Sequence, residues 1–319
     1  MDGEIDKPGP TLPKIGESIS PSVAMRLAIN LAGLGAGFVS PNPLVGCVVV
    51  DSQHRFLSFG YHAKVGQDHA EIDALKKVQD KTQLHGAYFY VTLEPCAHQG
   101  RTPSCAKTLA PLDISGVIYG LRDPNPLVAG QGAQILRDAG KKAILWSDLS
   151  VVKDLGFESE ISKNERDEVL HDLEEVAEIF LWNMKKKTPF VALKVATTLD
   201  GSLATKDGES QWITGEQARS HVHFLRAHYD AILVGRQTVI QDDPKLNVRH
   251  SKFVGFQNRV IVLDPNAKGL ERLGMSELIK FHNPEQIFWV VRKGHDLNSN
   301  KSKFADQCTI MEVPTRPDG

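Results

Sequence analysis

Four side chains between His69 and Cys105 could together perform hydrolytic chemistry at a metal ion. His69, Cys96 and Cys105 offer one imidazole and two thiols, the ligand set of a catalytic zinc that keeps its fourth position for water. Glu71 follows the histidine by two residues, and zinc deaminases use a glutamate that does not bind the metal as their proton carrier. The sequence therefore predicts the hydrolytic removal of an amino group from a base-like ring.

A structural zinc site is the alternative interpretation of these residues, because structural sites are closed by a fourth ligand. His98 is the nearest candidate for that ligand. Glu71 would have no purpose in a closed site, which favours the catalytic interpretation. The other two cysteines, Cys47 and Cys308, lie in or just before apolar strand-like runs, and we expect both to be small buried apolar side chains.

The spacing of the two cysteines bears on the substrate. Nucleic-acid deaminases carry the pattern Pro-Cys-x-x-Cys, whereas eight residues separate Cys96 from Cys105. The longer loop contains Arg101, and an arginine beside a metal site suits a phosphate group on the substrate. The loop therefore favours a phosphorylated small molecule, and a nucleic-acid editing deaminase stays as an alternative.

Composition limits the class of protein. A length of 319 residues suits two domains, and 41% hydrophobic with 24% charged residues is ordinary for a globular protein. A formal charge of −2 gives no general attraction to nucleic acid or an anionic membrane. With four cysteines, no secretory signal and no apolar run of about 20 residues, we expect a cytoplasmic protein that does not span a membrane.

Alternating strand-like and helical segments predict an α/β domain over residues 21–147, after a flexible lead over residues 1–20. Ser20 followed by Pro21 is a typical helix start. The predicted helices are Pro21–Leu34, Ala70–Val78, Pro103–Leu109 and Gln131–Ala139. The predicted strands are Val45–Val50, Ala87–Leu93, Val117–Leu121 and Lys142–Trp146.

A charge-rich stretch, residues 148–188, is predicted to be a helical connector. Its helix, Asn164–Lys187, is acidic early and basic late, which complements the helix dipole; a solvated face and a binding face are both open interpretations. Strand–helix alternation resumes over residues 189–319. The predicted elements there are strands Phe190–Ala196, Ala231–Val234, Arg259–Leu263, Gln286–Val291 and Thr309–Val313 and a helix at Gly215–His228.

An ordered set of motifs between about Ser20 and Arg249 resembles one family, the bifunctional deaminase/reductase of riboflavin biosynthesis. The matching motifs are Pro41-Asn42-Pro43-Leu44-Val45-Gly46, Gly60-Tyr61-His62, His69-Ala70-Glu71, Thr92-Leu93-Glu94-Pro95-Cys96, Gly100-Arg101-Thr102-Pro103, Asp123-Pro124-Asn125-Pro126, Thr198-Leu199-Asp200-Gly201, Gly208-Glu209-Ser210-Gln211-Trp212-Ile213-Thr214 and Asp242-Asp243-Pro244.

The resemblance implies a cytidine-deaminase-like three-layer domain followed by a dihydrofolate-reductase-like α/β domain. The first would use zinc to deaminate 2,5-diamino-6-ribosylamino-4(3H)-pyrimidinone 5′-phosphate, and the second would use NADPH to reduce the ribosyl group to ribityl. The family's reductase domain continues into a Glu-Gly-Gly turn that holds the cofactor phosphates. We therefore expect the second domain to be C-terminally truncated, and a deaminase with a non-functional reductase domain is an alternative.

In the deaminase half, the resemblance implies that His69, Cys96 and Cys105 hold zinc while Glu71 moves protons. The residues expected around the pyrimidine and its sugar phosphate are Asn42, His62, Arg101, Asp123 and Asn125. Asn42, Asp123 and Asn125 could instead only shape turns.

In the reductase half, the resemblance implies two sets of residues. Those expected to contact substrate are Lys194, Ser210, Arg226, Leu246 and Arg249. Those expected near the nicotinamide cofactor are Ala196, Trp212, Thr238 and Asp242. Core packing is the alternative for Trp212. We also expect a homo-oligomer that acts on a small molecule and binds no nucleic acid.

Overall fold

The chain divides into two compact units, a first unit (Asp6–Leu193) and a second unit (Lys194–Gly319). The computed structural model describes residues 10–98, 103–125, 129–148, 155, 161–253, 255–294, 304 and 306–314. Both units alternate strands with helices, so the predicted α/β class is confirmed. Within the described residues, no helix is both long and apolar enough to cross a bilayer.

The first unit contains a five-stranded sheet in the order β2-β1-β3-β4-β5. Its strands are β1 Gly46–Val50, β2 Phe56–Tyr61, β3 Ala87–Leu93, β4 Ile114–Leu121 and β5 Lys142–Leu145. β1 runs antiparallel to both β2 and β3, while β3, β4 and β5 run parallel. Every residue of β1 and β3 is buried, as expected for central strands covered on both faces.

Helices cover both faces of this sheet. They are α1 Pro21–Ala32, α2 Ala70–Lys77, α3 Cys105–Leu109, α4 Gln131–Asp138 and α5 Lys163–Lys186. Val48 and Val50 of β1 pack in one apolar cluster with α1 and α5, whereas Cys47 and Val49 pack in the other with α2, α3 and α4. This alternation follows from the two-residue period of a strand and confirms the predicted three layers.

Helix α5, predicted as part of a connector, packs on the first unit. Val169, Leu173 and Ala177 are buried in the cluster that also contains α1. Arg26 of α1 donates to Asp172 at 2.6 Å and Glu168 at 2.9 Å. Because these ion pairs are part-exposed they contribute little, so the apolar contacts hold the helix in place.

The second unit contains a four-stranded parallel sheet in the order β6-β7-β8-β9. Its strands are β6 Ala231–Gly235, β7 Arg259–Leu263, β8 Ile287–Arg292 and β9 Thr309–Val313, and its helices are α6 Glu216–His228, α7 Arg236–Asp242 and α8 Leu278–Phe281. Trp289 is fully buried, and its Nε1–H donates to the buried Asp264 carboxylate at 3.1 Å.

The predicted strand Phe190–Ala196 is wrong. Within the described residues this segment belongs to neither sheet, and the side chains of Val191 and Leu193 are 83% and 89% exposed. An apolar β-branched run gives a strand only when a neighbouring strand satisfies its backbone and covers its side chains. Here neither condition is met.

His54 makes the stability of the first unit depend on pH. It is buried, and its ring stacks on Tyr88 with centroids 5.3 Å apart. Burial lowers the pKa of His54 from 6.5 to about 4, against the opposing charge of Asp51. In the unfolded chain this histidine takes up a proton at a higher pH than in the folded protein. The stability that depends on a neutral His54 is therefore complete above pH 6.5 and is lost as the pH falls toward 4.

On going from neutral pH to pH 4, the difference in the pKa of His54 between the unfolded and folded states should lower the free energy of unfolding by about 3 kcal/mol. His54→Asn removes the titration, and asparagine tolerates the left-handed φ of 56° at this position. Urea unfolding of the first unit should be measured at neutral pH and at pH 4. The free energy of unfolding should differ less between the two pH values in the variant than in the wild type. Equal pH dependence in the two proteins would contradict this account.

Candidate functional site

Three predicted zinc ligands converge at one edge of the sheet in the first unit. His69 is the N-cap of α2, Cys96 follows the end of β3, and Cys105 is the first residue of α3. His69 Nδ1 lies 3.5 Å from Cys96 Sγ and 3.3 Å from Cys105 Sγ. All three donor atoms lie within 4.8 Å of one another. With metal–ligand bonds of about 2.0–2.3 Å, one zinc ion fits among them.

Local hydrogen bonds hold the two cysteines in this arrangement. The Ser104 hydroxyl donates to the Cys96 carbonyl at 2.7 Å and accepts the N–H of Lys107 at 3.3 Å, as the N-cap of α3. The N–H of Cys105 points at Cys96 Sγ, 3.3 Å away. The turn that starts α3 therefore also positions both thiols.

The charges of the three ligands are coupled. Hydrogen bonds from Cys105 and His69 lower the pKa of the Cys96 thiol well below its usual range. The adjacent Cys96 sulfur and burial raise the pKa of the Cys105 thiol, and the hydrogen bond with Cys96 raises the pKa of His69. Two thiols and an imidazole that share protons in this way form a good site for a divalent cation, which favours both thiolates.

Glu71 lies in the first turn of α2, directly beside the ligands. Its side chain is buried, with the residue only 3% exposed, and it forms a hydrogen bond with Cys105. Burial raises the pKa of Glu71 to about 7, and the charge of Cys96 acts in the same direction. A carboxyl group that titrates near neutrality can both accept and return a proton.

Asn42 and His62 lie against the same centre. The His62 ring packs edge-on to His69, with centroids 5.4 Å apart. His62 Nδ1 lies 3.0 Å from the carbonyl of Asp68, which can only accept, so Nδ1 carries the proton and Nε2 accepts from the Asn42 amide at 3.0 Å. Burial lowers the pKa of His62, in keeping with a neutral ring. This pairing leaves the Asn42 side-chain oxygen as an acceptor.

Asp123 and Asn125 lie in the segment between β4 and α4. Asp123 Oδ1 accepts the N–H of Asn125 at 2.8 Å, so the predicted turn is present. Burial raises the pKa of the Asp123 carboxyl, and that same N–H opposes the rise. Arg101, also predicted to contact substrate, lies outside the described residues.

Glu94 is a buried residue of this site to which sequence reasoning assigned no role. It comes after β3 and two residues before Cys96, and it accepts backbone N–H groups of Asp123, Gly130 and Ala133. The sequence signal was a charged residue directly after a predicted strand that is mostly apolar.

In the second unit, three of the predicted substrate residues come together. Arg226 donates to the carbonyl of Asn247 at 3.1 Å. Along the chain, Asn247 lies between Leu246, which is buried, and Arg249, which is exposed. Burial and the neighbouring Arg249 lower the pKa of Arg226. His223, which sequence reasoning missed, accepts the backbone N–H of Arg249 at 3.2 Å. The charges of Arg226 and Arg249 therefore act on each other, and the Arg226 guanidinium is anchored to the chain segment that leads to Arg249.

The remaining second-unit residues are more dispersed. Lys194 and Ser210 are exposed and Ala196 is partly buried in segments without strand structure, whereas Thr238 and Asp242 lie one helical turn apart on α7. Among the described residues, no hydrogen bond joins Lys194 or Ser210 to the arginine pair.

Trp212 is an exposed residue and not part of a core. It is 72% exposed, so the core-packing alternative is wrong. The Arg219 guanidinium lies 4.6 Å from its ring centroid and donates to the Thr214 carbonyl at 2.6 Å. One face of the indole is therefore covered by a cation.

Two family models match the chain in succession. Residues 20–121 match the cytidine and deoxycytidylate deaminase zinc-binding region, and residues 189–311 match the RibD C-terminal domain. The predicted cytidine-deaminase-like domain followed by a dihydrofolate-reductase-like domain is thereby confirmed. The zinc-binding match and the cluster of His69, Cys96 and Cys105 also confirm zinc as a cofactor.

Known proteins show similarity over most of the chain. The riboflavin biosynthesis protein RibD of Actinobacillus pleuropneumoniae is 44% identical over 225 residues, 70% of this chain and 54% of that protein. The RibD protein of Escherichia coli strain K12 is 40% identical over 228 residues, 72% of this chain and 56% of its own length. The chain thus spans little more than half the length of these relatives.

A longer match includes the RibD protein of Buchnera aphidicola, 34% identical over 309 residues, 91% of this chain and 76% of that protein. The solved structure of Acinetobacter baumannii RibD has a TM-score of 0.69 and 35% identity, covering 93% of this chain and 74% of that one. The Thermotoga maritima deaminase/reductase structure has a TM-score of 0.68 at 31% identity, covering 92% of this chain and 80% of its own. The chain therefore belongs to the RibD family of riboflavin biosynthesis proteins.

Proposed function

We propose that this chain removes the ring amino group of 2,5-diamino-6-ribosylamino-4(3H)-pyrimidinone 5′-phosphate by hydrolysis, and then reduces the ribosyl group of the product to ribityl with NADPH. The observation that carries the proposal is the buried Glu71 beside three convergent zinc ligands, His69, Cys96 and Cys105. Family membership supports the substrate and the order of the two steps. The proposed setting is the cytoplasm, with a homo-oligomer that binds no nucleic acid.

Glu71 is the proton carrier of the proposed deamination. When bound by the three ligands, zinc supplies Lewis acidity that makes water nucleophilic near neutral pH. The carboxylate of Glu71 would take the two protons of the attacking water one after the other, passing one to the ring nitrogen and the other to the departing amine. The ring amino group leaves as ammonia and the water oxygen stays on the ring carbon, so no other reactant is needed.

Asn42 and His62 are proposed to bind the pyrimidine, together with Arg101, Asp123 and Asn125. The hydrogen bond from the Asn42 amide to His62 holds the Asn42 side chain in one orientation. Its free oxygen acceptor matches an N–H donor on the ring. An arginine suits the 5′-phosphate, which is the role proposed for Arg101.

In the second unit, the arginine pair Arg226 and Arg249 fits the substrate phosphate. Lys194, Ser210 and Leu246 are proposed as further substrate contacts. The exposed face of Trp212 suits a nicotinamide ring, with Ala196, Thr238 and Asp242 completing the proposed cofactor contacts. Hydride transfer belongs to NADPH, so these residues need only align the cofactor with the sugar carbon and hold the phosphate.

A deaminase without reductase activity is the second candidate, because Lys194 and Ser210 lie in exposed segments with no hydrogen bond to the arginine pair. One experiment separates the two candidates. The zinc-loaded chain is mixed with the pyrimidine phosphate and NADPH, and both ammonia and nicotinamide absorbance are followed. Ammonia release with NADPH oxidation supports the full proposal, and ammonia alone supports the second candidate. If neither ammonia release nor NADPH oxidation were seen, both candidates would be contradicted.

A further inference from the structure

We propose that Glu94 is a positioning residue that ties the substrate-binding segment after β4 to the zinc-binding loop, and so controls substrate affinity. The inference rests on the proposed deamination, because it concerns the segment that contains Asp123 and Asn125. Glu94 does not touch the metal or the reacting atoms in this scheme. It acts through the backbone of its neighbours.

The Glu94 carboxylate accepts three backbone N–H groups. The residue is 5% exposed, and Oε2 accepts the N–H of Gly130 at 3.0 Å and the N–H of Asp123 at 3.4 Å. Oε1 accepts the N–H of Ala133 at 3.1 Å. One buried side chain thus binds both ends of the segment between β4 and α4. Hydrogen bonds to a charged acceptor are the stronger kind.

These donors include the free N–H groups at the start of α4. Gly130 is the N-cap of this helix and Ala133 is in its first turn, where backbone N–H groups have no partner within the helix. No side chain of the cap residue supplies a hydrogen bond there. Glu94, directly after β3, therefore replaces the missing cap, and its negative charge lies at the positive end of the helix dipole.

A close backbone contact holds the same two segments together. A Cβ atom on Gly132 would lie 1.8 Å from the carbonyl oxygen of Pro95, so the helix start and the zinc-binding loop meet with no room for a side chain. Pro95 lies between Glu94 and the ligand Cys96. In addition, the N–H of Glu94 donates to the carbonyl of Leu121 at the end of β4. The substrate-binding segment is thus fixed at both ends by the residues that lead to the metal.

Glu94→Gln tests the inference because the side chain keeps its size but loses its charge. A glutamine amide accepts through one oxygen only, and its NH2 group would face an N–H donor. We expect zinc to stay bound at the wild-type ratio, with kcat within about threefold of wild type. The KM for the pyrimidine phosphate should rise about tenfold or more, the effect of losing at least one charge-assisted hydrogen bond.

Glu17→Gln is the matched control, because Glu17 also accepts a backbone N–H, that of Lys14, but at an exposed site. It should leave KM, kcat and zinc content unchanged. An unchanged KM in Glu94→Gln would overturn the inference, as would a fall in kcat that tracks loss of zinc. If wild type itself releases no ammonia, the proposed function fails instead, so the two failures are distinguishable.

A second variant decides the matter if Glu94→Gln does not fold. Glu94→Asp keeps the charge on a side chain one methylene shorter, so part of the binding to the Gly130 and Ala133 amides remains. We expect a KM between that of wild type and the raised value expected for Glu94→Gln, with kcat and zinc content preserved. A loss of kcat and zinc without a change in KM would show that Glu94 only supports the fold.

Discussion

Glu71→Gln is expected to abolish deamination while the chain still binds zinc. The amide keeps the size of the side chain but cannot take a proton from water, and general acid–base groups contribute about 10²- to 10⁴-fold to rate. Glu71 is buried beside the ligands and forms a hydrogen bond with Cys105, which places its carboxyl group next to the proposed zinc site. Ammonia release and the zinc content of the same preparation are the two measurements.

Asp73→Asn provides the control for this prediction. Asp73 also lies in the first turn of α2, but its carboxylate accepts the N–H of Tyr61 and pairs with Lys77. Its replacement removes one negative charge from the same helix without touching the proton path, so activity should change little. If Glu71→Gln kept most of its activity, or lost zinc in parallel with activity, the role given to Glu71 would be wrong.

Removal of zinc is the second change with a large expected effect. Dialysis against a chelator should eliminate ammonia release, and one equivalent of zinc should restore it, because the metal supplies the Lewis acid that water activation requires. Cys105→Ala should prevent restoration, since only two ligands remain. The chain without metal should also unfold at lower temperature, because an ion that binds only the folded state stabilises it.

Cys308→Ala is the matched cysteine control. Cys308 is buried in the apolar cluster of the second unit, so its truncation should lower stability there and leave zinc content and deamination intact. Retained deamination in the fully metal-free protein would contradict the catalytic role of zinc. Restored activity in Cys105→Ala would contradict its assignment as a ligand.

The zinc centre could be predicted from sequence because its signals are local. His69 and Glu71 are two residues apart, Cys96 comes three residues after the end of β3, and Cys105 is the first residue of α3. Ser20 as the N-cap of α1 was predictable for the same reason, and its hydroxyl does accept the N–H of Val23. Residue type and spacing along one segment carry this information.

The role of Glu94 could not be predicted in this way. Two of its donors, Asp123 and Ala133, lie 29 and 39 residues along the chain, and they donate through backbone N–H groups that any residue type except proline possesses. The contact of His223 with Arg249, 26 residues away, has the same character. Such contacts follow from the packing of the elements and leave no pattern in the residue types.

Strand β2 was not among the predicted strands, because Ser58 and Gly60 interrupt its apolar character. The structure explains why Ser58 and Gly60 occur in this strand. The Ser58 hydroxyl donates to the carbonyl of Ala74 at 2.8 Å, and a Cβ on Gly60 would lie 2.3 Å from the N of Ala74. Close packing of α2 on β2 therefore explains these two residues, whereas the apolar Phe190–Ala196 run belongs to neither sheet within the described residues.

The most direct test of the account is the amount of ammonia that the zinc-loaded chain releases from the pyrimidine ribosyl phosphate, with cytosine in single-stranded DNA as the competing substrate. We expect one ammonia for each pyrimidine phosphate consumed and none from the DNA. Ammonia from the DNA at a comparable rate, or none from the pyrimidine phosphate, would contradict it.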